Sequence, residues 1–228
     1  MIKAFDRNIG NFGLMEKVDL SGINSFLIKD GEYQIPKYKE LLKFSHQEIV
    51  QFGLKQAMYT FPTEELIEYL KDLIGNDIAV EIGSGVGVLG KALGIKCTDS
   101  YLQERPEIKR HFLMMQQRPI KYGAHVEKRE ANWVAEKWKP DVILGSWITS
   151  YLDPDDRSGR GGNMFGPKEE EFLSYCKRYI MLGNEGVHCD KPLLAFPHKK
   201  ITASEVPFYL TRSLTPEKNV IYIWGGKK

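Results

Sequence analysis

The chain has 228 residues, 42% hydrophobic and 27% charged, which suits one globular domain with an extension and excludes a disordered or fibrous chain. Lys plus Arg number 32 against 30 Asp plus Glu, a net charge of +2 that is too small to imply nonspecific nucleic-acid binding. No apolar run nears the roughly 18 residues of a membrane helix, the opening Met1-Ile2-Lys3-Ala4-Phe5-Asp6 lacks the apolar core of a secretion signal, and Cys97, Cys176 and Cys189 suit neither a disulfide framework nor a zinc cage, so a cytoplasmic protein without a membrane partner is expected.

Residues 1 to 60 read as an N-terminal cap or extension. Turn-rich pieces with Gly10, Gly13, Gly22 and Gly31 precede a helix expected from Lys37 to Met58, with Tyr38, Leu41, Leu42, Ile49 and Phe52 on its apolar face. The remainder, 61 to 228, reads as one α/β domain. Thr63 is placed to cap a helix whose first turn carries Glu64 and Glu65, and Leu66, Ile67, Leu70, Leu73 and Ile74 recur at helical spacing as far as Gly75. Ile78 to Ile82 is a short apolar strand that runs into glycines, as expected of a strand buried on both faces.

Strand and helix then alternate. A helix starts over Val88 to Leu93, a strand follows at Ile95 to Thr98, a helix at Pro106 to Gln117 and a strand near Ala124 to Lys128. Helix Trp133 to Trp138 leads to strand Asp141 to Gly145, and helix Lys168 to Lys177 to strand Arg178 to Leu182. This alternation favours a parallel sheet with right-handed crossovers. The end differs: Phe208 to Ser213 and Val220 to Trp224 are strand-like and joined by a turn-forming stretch, a hairpin-like connection.

The segment Val80-Glu81-Ile82-Gly83-Ser84-Gly85-Val86-Gly87-Val88-Leu89 resembles the first cofactor-binding motif of the Rossmann-like (class I) methyltransferases that use S-adenosyl-L-methionine (SAM). In that motif an acid ends the first strand and a glycine-rich turn passes beneath the cofactor. Asp99, at the end of the next predicted strand, is suited to accept from both ribose hydroxyls. The resemblance implies an α/β Rossmann-like methyltransferase fold, a mainly parallel central sheet flanked by helices with a C-terminal antiparallel hairpin. It implies SAM as cofactor, held by Glu81, Gly83, Ser84, Gly85, Gly87 and Asp99. Glu130 and Asn132, after the third strand, are candidates for the adenine amino group, and Ser146, after the fourth, for the cofactor wall. Gly85-Val86-Gly87-Val88-Leu89-Gly90 also satisfies Gly-x-Gly-x-x-Gly, but its glycines begin later after the strand than in the nicotinamide fingerprint.

Ligands of open α/β sheets bind at the carboxyl ends of strands, which makes Trp147, Asn184, Glu185 and His188 candidates to face the methyl acceptor. No catalytic side chain and no metal set is marked. The acidic turn Asp153 to Asp156, with Arg157 and Arg160, reads as a solvated connection, with a lid as the alternative. The acceptor is unidentified. A small molecule is favoured, because no target-recognition domain accompanies the core; a nucleic-acid acceptor and a noncatalytic SAM-binding partner module are the alternatives.

Overall fold

The computed structural model describes residues 17–114, 117–158 and 160–225. Gly10, Gly13 and Gly159 lie outside them, as does part of the helix expected up to Gln117. Seven strands form one sheet: β1 Ala79–Ile82, β2 Lys96–Asp99, β3 Val126–Lys128, β4 Val142–Ser146, β5 Arg178–Asn184, β6 His198–Thr202 and β7 Asn219–Gly225. Their order is β3-β2-β1-β4-β5-β7-β6. The first five are parallel, and β7 runs antiparallel to both β5 and β6. This is the expected α/β Rossmann-like methyltransferase fold, with its antiparallel C-terminal hairpin.

Each central strand is buried on both faces, with a period of two. Val142 and Leu144 of β4 and Ile180 and Leu182 of β5 face one core together with Leu66 and Leu70. Ile143, Tyr179 and Met181 face the other, with Val134 and Trp224. Thr63 caps the helix Glu64–Ile74 by accepting from Leu66 N–H at 3.1 Å, as its position predicts.

Two local expectations are corrected. The helix expected from Lys37 to Met58 is broken into Tyr38–Leu41 and His46–Gln56. Ser45 and Glu48 form a reciprocal capping box at the second start, so Ser45 begins a helix rather than continuing one. The hairpin partner of β7 is β6, not 208 to 213. His198, Lys199 and Lys200 are exposed on this edge strand and only Ile201 and Thr202 turn inward, so the sequence of β6 lacks a strand's apolar pattern; charged edge residues discourage pairing with other chains. Leu210–Thr211 leaves the sheet and pairs antiparallel with Thr60–Phe61.

That small ribbon ties the N-terminal segment to the domain. Ile23, Leu27, Leu41, Ile49, Phe52, Met58 and Phe61 form a third core, against which Val86, Val88 and Leu210 pack. The N-terminal segment therefore leans on the glycine-rich turn after β1. Lys168 to Lys177, expected as a helix, holds a shorter 3-10 helix, Glu169–Ser174, whose first residue is buried and paired with a buried lysine described below. No helix among the described residues is long and apolar enough to cross a membrane.

Candidate functional site

Two groups of residues meet along the carboxyl ends of the parallel strands. The first surrounds the turn after β1. Gly83, Gly85 and Gly87 all have positive φ, at 56°, 56° and 76°, where a side chain is strained. Gly83 also packs so closely that a Cβ would lie 2.5 Å from Ile148 Cδ1. Gly85 N–H donates to Asp99 Oδ2 at 2.9 Å, and Tyr101 N–H donates to Oδ1 at 2.9 Å. Ser84 links the turn to both strands: its N–H donates to Thr98 O at 3.0 Å, and its hydroxyl lies 3.1 Å from Glu81 O, Thr98 O and Thr98 N.

Glu81 is buried beneath the turn and accepts from Gly90 N–H at 3.0 Å. Burial pushes its carboxyl up to about 7, opposed chiefly by the Gly90 N–H. Asp99 is also raised, by burial first, with its two backbone donors opposing. Glu130 contributes a further upward push, which puts a second acid near Asp99. Asn132, by contrast, is engaged away from them: its amide donates to Lys168 O and to Glu171 and accepts from Lys168 N–H.

Sequence reasoning missed the aromatic wall of this group. Tyr101 and Tyr122 stack with centroids 3.9 Å apart and planes 6° apart. Tyr101 has φ of 60°, uncommon for an aromatic residue, and its hydroxyl donates to Val126 O at 2.6 Å. The position just after the Asp99 strand end was the available signal.

The second group lies after β4 and β5. Ser146 and Thr60 hydroxyls meet at 2.8 Å, which joins the N-terminal ribbon to the end of β4. Trp147 has φ of 57°; its backbone N–H donates to Leu182 O at 2.8 Å and its indole N–H to Tyr209 OH at 3.1 Å. Tyr59 lies against it at 5.4 Å and His188 at 5.3 Å, edge-on. His188 is buried, with Nδ1 3.0 Å from both N and O of Asn184. Burial, then the nearby Lys191 charge, presses its pKa down to about 3, so the ring is neutral.

Asn184 and Glu185 are placed differently. Asn184 is fully buried; its amide donates among Ser213, Thr215 and Asn219 and accepts from Gly186 N–H, tying β5 to β7. Glu185 points outward and pairs with Lys200 at 2.5 Å. In the acidic turn, Arg160 is bound to Asp156 at 2.6 Å, and Asp156 is held down to about 2 by that guanidinium first and by Ser158 next.

No protein-family model matches the chain, nor does any curated protein. Solved structures with a likeness include a Thermoplasma acidophilum protein, 16% identical over 82% of this chain and 93% of its own, with a TM-score of 0.33. A triple mutant of DNMT2 from Spodoptera frugiperda is 16% identical over 64% of this chain and 48% of its own, and a proposed RNA methyltransferase from Pyrococcus horikoshii is 14% identical over 81% and 99%, both at a TM-score of 0.33.

Proposed function

We propose that the chain is a SAM-dependent methyltransferase acting on a small molecule. The observation that carries this reading is the pairing of Asp99 with Gly85 N–H at the carboxyl ends of β2 and β1. The residues present fit SAM. Each Asp99 oxygen accepts one backbone N–H, the Tyr122 hydroxyl also reaches the carboxylate, and the acceptor capacity that is left suits the ribose hydroxyls. The Gly83 to Gly87 turn, with Ser84 bracing it, offers backbone at close range to the amino-acid end, supported from below by Glu81. Glu130 is the candidate for the adenine amino group.

Bound there, SAM supplies an electrophilic methyl on sulfur. The chain's own contribution is proximity and orientation, because such a transfer needs no protein nucleophile. Ser146 and Trp147 stand next along the strand ends, where the acceptor is to be held. His188 is neutral, and its Nδ1 is committed to the Asn184 backbone, so it positions the Trp147 face rather than carrying charge. Free Cys97 and Cys176, both buried, suit the reducing cytoplasm.

The test is calorimetry with SAM, S-adenosylhomocysteine and NADH. Selective binding of the first two, lost in Asp99→Ala, is expected. Binding of NADH alone would overturn the reading, and methyl label entering RNA or DNA would overturn the small-molecule acceptor.

A further inference from the structure

Arg212 is only 5% exposed, yet no carboxylate or other acceptor among the described residues takes a hydrogen bond from its guanidinium. Lys191, a second deeply buried cation among the described residues, is treated in the opposite way: it is paired with Glu169 and hydrogen-bonded to Ser150. Leaving a buried charge without a partner is costly, so the exception calls for a physical reason.

Its surroundings supply one. The Arg212 backbone N–H donates to Tyr59 O at 3.0 Å, and the guanidinium Cζ sits 3.5 Å from the centre of the Tyr59 ring. Arginine is weakly hydrated and stacks well on aromatic faces, and a stacked guanidinium keeps its N–H donors in its own plane for a planar acceptor. Among the described residues no buried side-chain nitrogen is both sealed from solvent and unpartnered, so these donors, though largely buried, still reach solvent. Tyr59 lies against Trp147, and the next residue, Thr60, touches Ser146, which puts the cation above the end of β4. Asp99 and the glycine turn belong to β2 and β1 instead.

We propose that Arg212, seated on Tyr59 beside Trp147, binds a carboxylate of the methyl acceptor. The inference rests on the methyltransferase reading above. A single guanidinium balances a single charge and matches a carboxylate's two oxygens, while the Tyr59 and Trp147 rings suit a flat apolar body behind it.

The test uses isotope-labelled protein saturated with S-adenosylhomocysteine, with benzoate as the probe and benzamide as its neutral match. Benzoate is expected to move the Arg212 Nε–H resonance, identified by its absence from Arg212→Lys, and benzamide to leave it in place. Arg212→Met should weaken benzoate binding by about tenfold or more, as a charge-assisted bond of this kind warrants. Arg212→Lys keeps the charge and loses the planar fork, so it should also weaken binding, and it serves if the methionine variant does not fold. Equal responses to benzoate and benzamide would overturn the proposal. It falls as well if Arg212→Met weakens S-adenosylhomocysteine but not methylthioadenosine, which lacks the amino-acid carboxylate, since the guanidinium would then belong to the cofactor. Failure of the wild-type chain to bind S-adenosylhomocysteine would overturn the methyltransferase reading instead, and the benzoate arm, repeated without it, would still decide whether Arg212 holds a carboxylate.

Discussion

Gly85 and Asp99 are joined by a hydrogen bond from the loop amide to Oδ2, so the turn after β1 is fixed by the acid that ends β2. The acid thereby shapes the turn and retains acceptor capacity above it. Replacing it affects both.

Asp99→Asn would place amide hydrogens among the Gly85 and Tyr101 N–H donors, which need acceptors. Affinity for S-adenosylhomocysteine should fall by about 1.5–3 kcal/mol, the cost of a hydrogen bond to a charged group. Calorimetry on the folded variant measures this. Unchanged affinity would remove Asp99 from the binding site.

Glu81 and His188 make opposite pH predictions. Glu81 is raised from 4.5 to about 7, so between those values the folded chain holds a proton that the unfolded chain has lost, and stability falls as pH rises through that window. His188 is lowered from 6.5 to about 3, so the unfolded chain holds the extra proton there and stability rises with pH through that window. The two offset one another between pH 4.5 and 6.5. Glu81→Gln should unmask the rise, on the order of 5 kcal/mol, and His188→Gln the fall, on the order of 3 kcal/mol, in denaturant titrations across pH. Parallel curves for both variants would contradict these assignments.

Lys191, Glu169, Ser150 and Tyr179 form one buried network: Lys191 pairs with Glu169, Ser150 donates to Glu169 Oε2 at 2.6 Å and Tyr179 to Oε1 at 2.6 Å. Burial lowers the Lys191 pKa, against the Glu169 charge that raises it. Lys191→Met leaves the acid without its cation and should cost about 3–5 kcal/mol of stability in denaturant unfolding. Adding Glu169→Gln should restore a large part of that loss; no recovery in the double variant would mean that the pair itself is not the source.

The sheet and the placement of the first half of the candidate site were legible because their signals are local. Strand β1, its glycines and Asp99 follow one another closely, and alternation with helices sets the parallel order. Edge strand β6 was not legible, since His198, Lys199 and Lys200 carry solubility rather than core packing. Arg212 and Tyr59 were missed because they are remote in sequence and meet only through the ribbon of Leu210–Thr211 with Thr60–Phe61. Asn184 was located correctly at a strand end, yet nothing local revealed that Ser213, Thr215 and Asn219 would claim its amide.

Trp147 offers the sharpest separation of acceptor from cofactor. Its positive φ is held by the bond from its N–H to Leu182 O, and its indole is aimed by Tyr209, whose hydroxyl lies 3.3 Å from Gly183 O. Trp147→Phe keeps a ring between Tyr59 and His188 but loses the indole N–H, one of the two side-chain donors to Tyr209 OH beside Thr60. The lost hydrogen bond is worth about 0.5–1.5 kcal/mol of stability, so the variant should fold. The ring also loses its fixed orientation at the end of β4, where displacement by an ångström costs about a hundredfold in rate when reacting groups are held in place. Turnover, once an acceptor is in hand, should therefore fall by about tenfold or more while S-adenosylhomocysteine affinity stays within about twofold. Equal losses in both would place Trp147 against the cofactor rather than the acceptor.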